Sequence, residues 1–165
     1  MSAYSKIIQI AGLIVWLAIS FLASAFGAIA TMQAGEFYTQ LVRPEWAPPP
    51  SIFGPVWTVL YALMGVAAWL IWRAGGFRSA WIALSLFLIQ LVPNALWSWI
   101  FFTWRQGGMA FWDIIILWLG IVATLIAFYR IKPLASALLT PYLAWVTFAA
   151  FLNFSLWQLN PQILG

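Results

Sequence analysis

The sequence predicts an all-α integral membrane protein: a bundle of five transmembrane helices with a long first loop outside the membrane. Of its 165 residues, 65% are hydrophobic and only 6% are charged, whereas about a quarter of an ordinary soluble domain is charged. A soluble fold of this length cannot hide so much apolar surface from water. The charged residues also separate apolar runs that are each long enough to cross a bilayer as a helix, and the alternation typical of a membrane β-barrel is absent.

The charged residues place the helices within a single domain, 1–165. Apolar runs predict spans near 6–32, 52–72, 79–104, 108–129 and 134–158. A cleaved signal peptide is the alternative for the first run, because Ala23-Ser24-Ala25 resembles a cleavage site. The apolar stretch continues to Met32, which favours a mature transmembrane helix.

The distribution of basic residues predicts the orientation. Five spans put the two termini on opposite sides of the membrane. The side that carries the N-terminus holds five of the basic residues: Lys6, Arg73, Arg78, Arg130 and Lys132. The other side holds only two, so the positive-inside rule places the N-terminus in the cytoplasm and the C-terminus opposite.

The longest connection is the loop at 33–51, which this topology places outside. Pro48 to Pro50 favour an extended path, and Pro55 is tolerated if it falls in the first turn of the second span. The sequence therefore predicts that this loop forms a stiff lid over the outer half of the bundle. Whether the lid is fixed or moves to admit a ligand stays open.

Several polar side chains lie inside the predicted spans. Gln90, Asn94 and Ser98 follow one another at intervals of four, so they share a face of the third span, and Pro93 interrupts the hydrogen-bond ladder beside them. Bundle-stabilising hydrogen bonds and cavity lining are equally supported for Gln90, whereas Asn94 and Ser98 are better lining candidates. For Asp113, an acid favoured by the dipole of a helix N-terminus is the preferred interpretation over a ligand-binding role.

Aromatic side chains concentrate in the same half of the bundle. Trp57 and Tyr61 are four residues apart on the second span, and Trp145, Ala149 and Asn153 share a face of the fifth. Core packing is the usual explanation for such stripes. Here they lie with Asn94 and Ser98 beneath the long loop, an arrangement that predicts an apolar pocket with a few polar anchors.

Small residues recur on the first span. Ser20, Ser24 and Ala28 form one series with spacing four, and Ala23 and Gly27 form another. This spacing permits close helix contact, either within the bundle or across a homodimer, and both alternatives stay open.

The residue inventory excludes several chemistries. The chain has no cysteine and no histidine, which removes disulfides, thiolate chemistry, imidazole catalysis and the usual zinc sites, so we expect no metal site. The net charge of +4 is spread too thinly for a nucleic-acid partner. No nucleophile or acid–base set supports an ordinary enzyme.

Three segments carry a resemblance to a known family. They read WAPPPSIFGPVWTVLY (residues 46–61), QLVPNALWSWIFF (90–102) and PYLAWVTFAAFLN (141–153). In this order they resemble the translocator protein family, also called tryptophan-rich sensory protein or peripheral benzodiazepine receptor. The resemblance covers residues 6–160, and the 13 tryptophans agree with it.

The resemblance implies a five-helix bundle whose ligand cavity is closed by the first loop, and members that commonly form homodimers. Family ligands are porphyrins such as protoporphyrin IX and haem, sterols, and synthetic isoquinoline or benzodiazepine compounds. The family's ligand residues carry over to Tyr38, Pro48, Trp57, Tyr61, Asn94, Trp97, Ser98, Trp145 and Ala149.

Two further points follow from the resemblance. Trp57 and Trp145 match the pair proposed for porphyrin chemistry in the family. The animal sterol motif requires a basic residue after a tyrosine late in the fifth span, and no basic residue follows Tyr142, which speaks against sterol binding.

We therefore expect a membrane receptor or carrier that binds porphyrin and requires no cofactor. Arg43 is a candidate partner for a propionate, although an exposed ion pair with Glu45 or Glu36 is the favoured reading. The lack of histidine and cysteine favours metal-free porphyrin over haem. The alternatives are light- or oxygen-dependent porphyrin breakdown at Trp57 and Trp145, and a structural assembly subunit.

Overall fold

The computed structural model describes residues 5–32 and 34–165 as a succession of helices. Residues 1–4 of the predicted domain and residue 33 of the predicted loop lie outside this described part. The elements are α1 (Lys6–Ala30), α2 (Ala34–Gln40), a 3-10 turn (Pro50–Ile52), α3 (Phe53–Ser79), α4 (Trp81–Ser98), a π-helical turn (Trp99–Thr103), α5 (Gly107–Ile131), α6 (Pro133–Leu159) and α7 (Pro161–Leu164).

Five of these helices are long and apolar enough to cross a membrane: α1, α3, α4 with its π-helical turn, α5 and α6. The predicted five-span helical fold is confirmed. A helix satisfies its backbone hydrogen bonds internally, which is what a spanning segment requires in hydrocarbon.

The five spans form a closed ring. Helix α1 packs against α3 and α4, α3 packs against α6, α6 against α5, and α5 against α4. A ring of five helices encloses a central space that side chains must fill or leave open.

One half of the ring, containing the start of α1 and the end of α3, is tightly filled. Met64 and Phe87 are fully buried there. A Cβ atom added to Gly65 would lie 2.9 Å from the Cα of Leu17, so only glycine lets α1 and α3 approach this closely. The indole nitrogen of Trp69 also donates a hydrogen bond to the carbonyl of Gln9 at 2.8 Å. Open space is therefore confined to the other half.

Two span boundaries differ from the prediction. The second predicted span ended at 72, before the first charge, but α3 continues to Ser79 through a kink at Gly76, where φ is 71°. A charged residue near a span end does not stop a helix, because its side chain can reach the membrane surface. The third predicted span changes to a π-helical turn after Ser98, in which the amide of Trp104 bonds the carbonyl of Trp99 at 2.8 Å.

The 33–51 segment is less extended than predicted, because its first part forms α2. Near its end Pro49 is extended (φ −66°, ψ 151°), but Pro50 already begins the 3-10 turn, so the extended path expected for Pro48 to Pro50 ends at Pro49. Pro55 falls in the first turn of α3, as expected.

The small residues of α1 serve contacts within the bundle. Ser20 is fully buried, and its hydroxyl donates to the carbonyl of Trp16 at 3.0 Å. A Cβ atom on Gly27 would lie 3.3 Å from the hydroxyl oxygen of Ser98, so Gly27 allows α1 to approach α4. The homodimer stays a prediction.

Candidate ligand-binding cavity

The open half of the ring contains a cavity of about 420 Å³, within the range of about 300–1,000 Å³ that small-molecule sites occupy. Its wall combines small residues of α1 with aromatic rings of the other elements: Tyr38, Phe53, Trp57, Tyr61, Trp97, Phe102 and Trp145. Within the described part of the chain, no acidic or basic side chain contributes to this wall. The cavity is therefore electrically neutral and largely aromatic.

The cavity brings together eight of the nine residues that the family resemblance indicates: Tyr38, Trp57, Tyr61, Asn94, Trp97, Ser98, Trp145 and Ala149. Pro48 does not line it and contributes only a carbonyl group at the loop. The exposed lining residues Ala28 and Thr58 belong to α1 and α3, so the cavity reaches the surface between these helices.

A chain of hydrogen bonds forms the polar floor of the cavity. The hydroxyl of Tyr61 donates to Asn94 Oδ1, and Asn94 Nδ2 donates to the hydroxyl of Tyr142 at 2.7 Å. Tyr142 donates to Gln90 Oε1 at 2.8 Å, and Gln90 Nε2 donates to the carbonyl of Phe87 at 3.0 Å. The four polar side chains are each at most 5% exposed. We call Tyr61, Asn94, Tyr142 and Gln90 the floor network.

The floor network decides the role of Gln90. Its amide joins α4 to α6 through Tyr142 and does not line the cavity, so it stabilises the bundle. Asn94 does both, because it lines the cavity and bonds α3 and α6 at once.

A second buried amide holds the ring of Trp97. Its indole nitrogen donates to Asn153 Oδ1 at 2.9 Å, and Asn153 Nδ2 donates to the carbonyl of Gly107 at 3.0 Å. The Trp97 ring also stacks on Phe101, with centroids 5.2 Å apart. This part of the wall is fixed in place before any ligand arrives.

Four polar groups of the wall have no hydrogen bond to the described residues. The indole nitrogen of Trp145 is buried without such a partner. The indole nitrogen of Trp57 and the hydroxyls of Ser24 and Ser98 likewise make no hydrogen bond to the described protein atoms. All four can donate a hydrogen bond to a ligand.

Asp113 was misjudged from the sequence. It stands beyond the first turn of α5, which contains no acidic residue, and the dipole of a helix N-terminus acts mainly within that turn. The dipole interpretation is therefore wrong. Its side chain is buried, its Oδ2 atom has no hydrogen-bond partner among the described residues, and it does not line the cavity.

The segment over the cavity is held by Tyr38. The Tyr38 hydroxyl donates to the carbonyl of Pro48 at 3.0 Å, and its ring packs edge-on against Phe53. Burial raises the pKa of the Tyr38 hydroxyl, and the neighbouring Arg43 opposes that rise. The guanidinium carbon of Arg43 lies 5.1 Å from the centroid of the Tyr38 ring, a cation–π contact that the sequence did not indicate.

The same segment is clamped to the end of α6. Asn160 Oδ1 accepts a hydrogen bond from the amide of Val42 at 2.8 Å, and Asn160 Nδ2 donates to the carbonyl of Val42 at 2.8 Å. Asn160 is only 5% exposed. The sequence analysis missed this residue, although an asparagine that precedes a proline at the end of a span is a recognisable signal of a polar turn.

An aromatic series makes a further connection between the segment and α6. The rings of Trp46 and Phe148 are 5.8 Å apart, those of Phe148 and Trp145 are 5.4 Å apart, and those of Trp145 and Phe53 are 5.8 Å apart. Trp145 thus belongs both to the cavity wall and to the attachment of the segment.

Fold and site together define a class: five-span helical membrane proteins with a neutral aromatic cavity lined in part by their first connecting segment. Comparison with known proteins agrees with this class. The model of the TspO/MBR family matches residues 13–158. The chain belongs to the TspO/MBR family.

Relatives come from bacteria and animals. The chain is 42% identical to the tryptophan-rich protein TspO of Chlorobaculum tepidum over 146 residues, covering 88% of this chain and 90% of the relative. It is 42% identical to the translocator protein of Homo sapiens over 127 residues, covering 76% and 75%. It is 37% identical to the tryptophan-rich sensory protein of Cereibacter sphaeroides, covering 86% and 90%.

The two hydrogen bonds between Asn160 and the backbone of Val42, which we call the clamp, can be tested by mutation. We expect Asn160→Ala to accelerate hydrogen exchange of the Val42 amide roughly tenfold to hundredfold, because two hydrogen bonds worth about 0.5–1.5 kcal/mol each are lost. The measurement is hydrogen exchange followed by mass spectrometry on the protein in nanodiscs. Gln162→Ala, which removes an exposed amide from the adjacent α7, is the control. Equal protection of residues 41–49 in both variants would contradict the clamp.

Proposed function

We propose that this protein is a membrane receptor or carrier that binds porphyrins, above all protoporphyrin IX and also haem, in tetrapyrrole-linked sensing or transport. One observation carries the proposal: Trp57 and Trp145, which lie on different helices, line the same neutral cavity. Indole and phenol rings stack well on a flat aromatic ligand. The names of two relatives, translocator protein and tryptophan-rich sensory protein, agree with a role of this kind.

The polar groups around the cavity suit parts of such a ligand. Asn94 and Ser98 lie where a polar ring edge would meet them, and Arg43, next to the wall residue Tyr38, is the nearest candidate partner for a propionate. The chain has no histidine or cysteine to serve as a strong axial ligand to iron. Metal-free porphyrin therefore suits the residues better than haem, and the protein needs no other cofactor.

We assign the segment 34–52 the role of a lid. Its clamp at Val42 and its aromatic attachment to α6 favour a lid that stays closed. Ligands then reach the cavity from the bilayer, between the exposed residues Ala28 and Thr58. Isoquinoline and benzodiazepine compounds carry fused apolar rings that would occupy the same cavity.

A second function has its own support. The two indoles that line the cavity would also be placed to take part in light-dependent porphyrin breakdown. An ordinary hydrolytic or acid–base reaction has no support, because the wall holds no nucleophile–base pair. A purely structural subunit with an incidental cavity is the third alternative.

Binding is tested by titrating the purified protein in nanodiscs with protoporphyrin IX while tryptophan fluorescence is recorded. We expect saturable quenching at micromolar porphyrin. We also expect Trp145→Leu to weaken binding about threefold to tenfold, because stacking of one aromatic pair contributes roughly 0.5–1.5 kcal/mol. Trp112→Leu, which removes an exposed indole of α5, should leave the affinity unchanged.

The same samples separate the three functions. Quenching without a product supports a receptor or carrier. Loss of the porphyrin Soret band on illumination, abolished in Trp57→Phe, supports breakdown. Absence of quenching at micromolar porphyrin rejects both and leaves the structural subunit.

We also propose that the N-terminus lies in the cytoplasm and the C-terminus on the opposite side. Five spans separate the termini, and most basic residues lie on the side of the N-terminus. Green fluorescent protein fused to the C-terminus should stay dark in a bacterial host, whereas alkaline phosphatase at the same position should be active. The reverse pair of results would invert the topology.

A further inference from the structure

We propose that the cavity prefers a ligand whose enclosed part is uncharged and donates an N–H or O–H group to the phenolic oxygen of Tyr61. In this proposal Tyr142 and Gln90, which do not line the cavity, are positioning residues that fix Tyr61 as an acceptor. The inference rests on the proposed function in one respect, namely that the cavity holds a ligand.

The direction of every hydrogen bond in the floor network follows from one backbone group. The carbonyl of Phe87 can only accept, so the atom of Gln90 that lies 3.0 Å away must be the amide nitrogen. Gln90 therefore turns its oxygen toward Tyr142, and Tyr142 must donate its single hydroxyl proton to that oxygen at 2.8 Å.

The same reasoning extends to the cavity. Because the proton of Tyr142 is committed, its oxygen can only accept from Asn94, and the contact at 2.7 Å identifies Nδ2 of that amide. Asn94 consequently presents Oδ1 to Tyr61, and Tyr61 must donate its only proton to it. Reversing any one bond would place two acceptors or two donors against each other.

Tyr61 is the end of this chain, and it lines the cavity. Its proton is committed to Asn94, and no group in the described part of the chain donates to its oxygen. Hydrogen bonds arranged in series polarise one another, which strengthens the terminal acceptor. A ligand that reaches this oxygen is bound by donating a hydrogen bond to it.

The charge of the enclosed part of that ligand follows from the wall. No charged side chain of the described residues faces the cavity, and an unpaired charge is costly in an apolar site. A neutral lactam, amide or pyrrole N–H or a hydroxyl therefore suits this wall better than an ammonium donor, and the propionates of a porphyrin would lie outside it. The partnerless indole N–H of Trp145 complements this pattern, because it can donate to a carbonyl or ring nitrogen of the same ligand.

The role of Tyr142 and Gln90 is indirect. With Tyr142→Phe, Asn94 loses the acceptor that fixes its amide and can turn over. Tyr61 would then receive a hydrogen bond from Asn94, and its proton would point into the cavity. The preference for a donor ligand should disappear, although neither Tyr142 nor Gln90 touches the ligand.

The experiment uses two planar tricyclic probes, phenanthridin-6(5H)-one and its N-methyl derivative. They share their rings and carbonyl group, and only the first has an N–H. Their dissociation constants are measured by calorimetry with the full chain in nanodiscs. The lactam should bind roughly threefold to tenfold more tightly than the N-methyl compound, the range expected for one net hydrogen bond.

Three variants test whether the ratio of the two dissociation constants depends on Tyr61 and the floor network. Tyr61→Phe and Tyr142→Phe should each bring it close to one, whereas Tyr129→Phe, which removes an exposed tyrosine hydroxyl on α5, should leave it intact. A merely structural effect of Tyr142→Phe would weaken both probes equally and preserve the ratio. If one of Tyr61→Phe and Tyr142→Phe fails to fold, the other still shows whether the ratio depends on the floor network.

Each result bears on the proposal. A ratio near one in the unaltered protein overturns it, as does a large ratio that persists in Tyr61→Phe, which would mean that the methyl group clashes with the wall. Failure of both probes to bind also overturns it. Protoporphyrin IX quenching is measured separately, so failure of the donor preference leaves porphyrin binding standing, and failure of porphyrin binding leaves the lactam ratio interpretable.

Discussion

The hydrogen bond from Gln90 to the carbonyl of Phe87 orients the polar interior of this membrane protein. In hydrocarbon a buried polar group must find its partner within the protein. The floor network meets this requirement by joining α3, α4 and α6 through four side chains in series, starting from one backbone acceptor. The network thus connects the packing of the bundle to the chemistry that the cavity offers.

The two halves of the helical ring differ in packing, because one is filled and the other contains the cavity. Where α1 and α3 meet across Gly65, close contact leaves no room for a ligand. Beyond the floor network the small residues of α1 face aromatic rings, and a cavity results. Above it, Val42 and Tyr38 tie the connecting segment to α6 and α3. A rigid wall of this kind favours recognition by shape and hydrogen-bond pattern, because little conformational entropy is lost on binding.

Much of this arrangement is predictable from the sequence. The spacing of charges predicts five spans because a charge is costly in hydrocarbon, and the interval of four places Asn94 and Ser98 on one face. The resemblance of three segments to a known family adds residues such as Tyr38, which spacing alone does not indicate.

The features that the sequence analysis missed or misjudged were hard to predict for physical reasons. Helix α2 has only 7 residues, so neither length nor periodicity reveals it. Helix α5 begins at Gly107, one residue from the predicted start, so Asp113 was misjudged because it lies more than a turn into the helix, beyond the reach of the N-terminal dipole. Pro48 contributes a carbonyl group, and Asn160 binds the backbone of a residue 118 positions away. A side chain that bonds backbone at such a separation leaves no periodic pattern to find.

The polarity of the floor network is the central claim, and the orientation of the Asn94 amide tests it most directly. Solid-state NMR in bilayers, with ¹⁵N in the asparagine side chains and ¹³C at tyrosine Cζ, compares the dipolar coupling of Asn94 Nδ2 to each neighbouring tyrosine. We predict a stronger coupling to Tyr142 than to Tyr61. A stronger coupling to Tyr61 would show that the amide is reversed and that the cavity floor offers a donor instead of an acceptor.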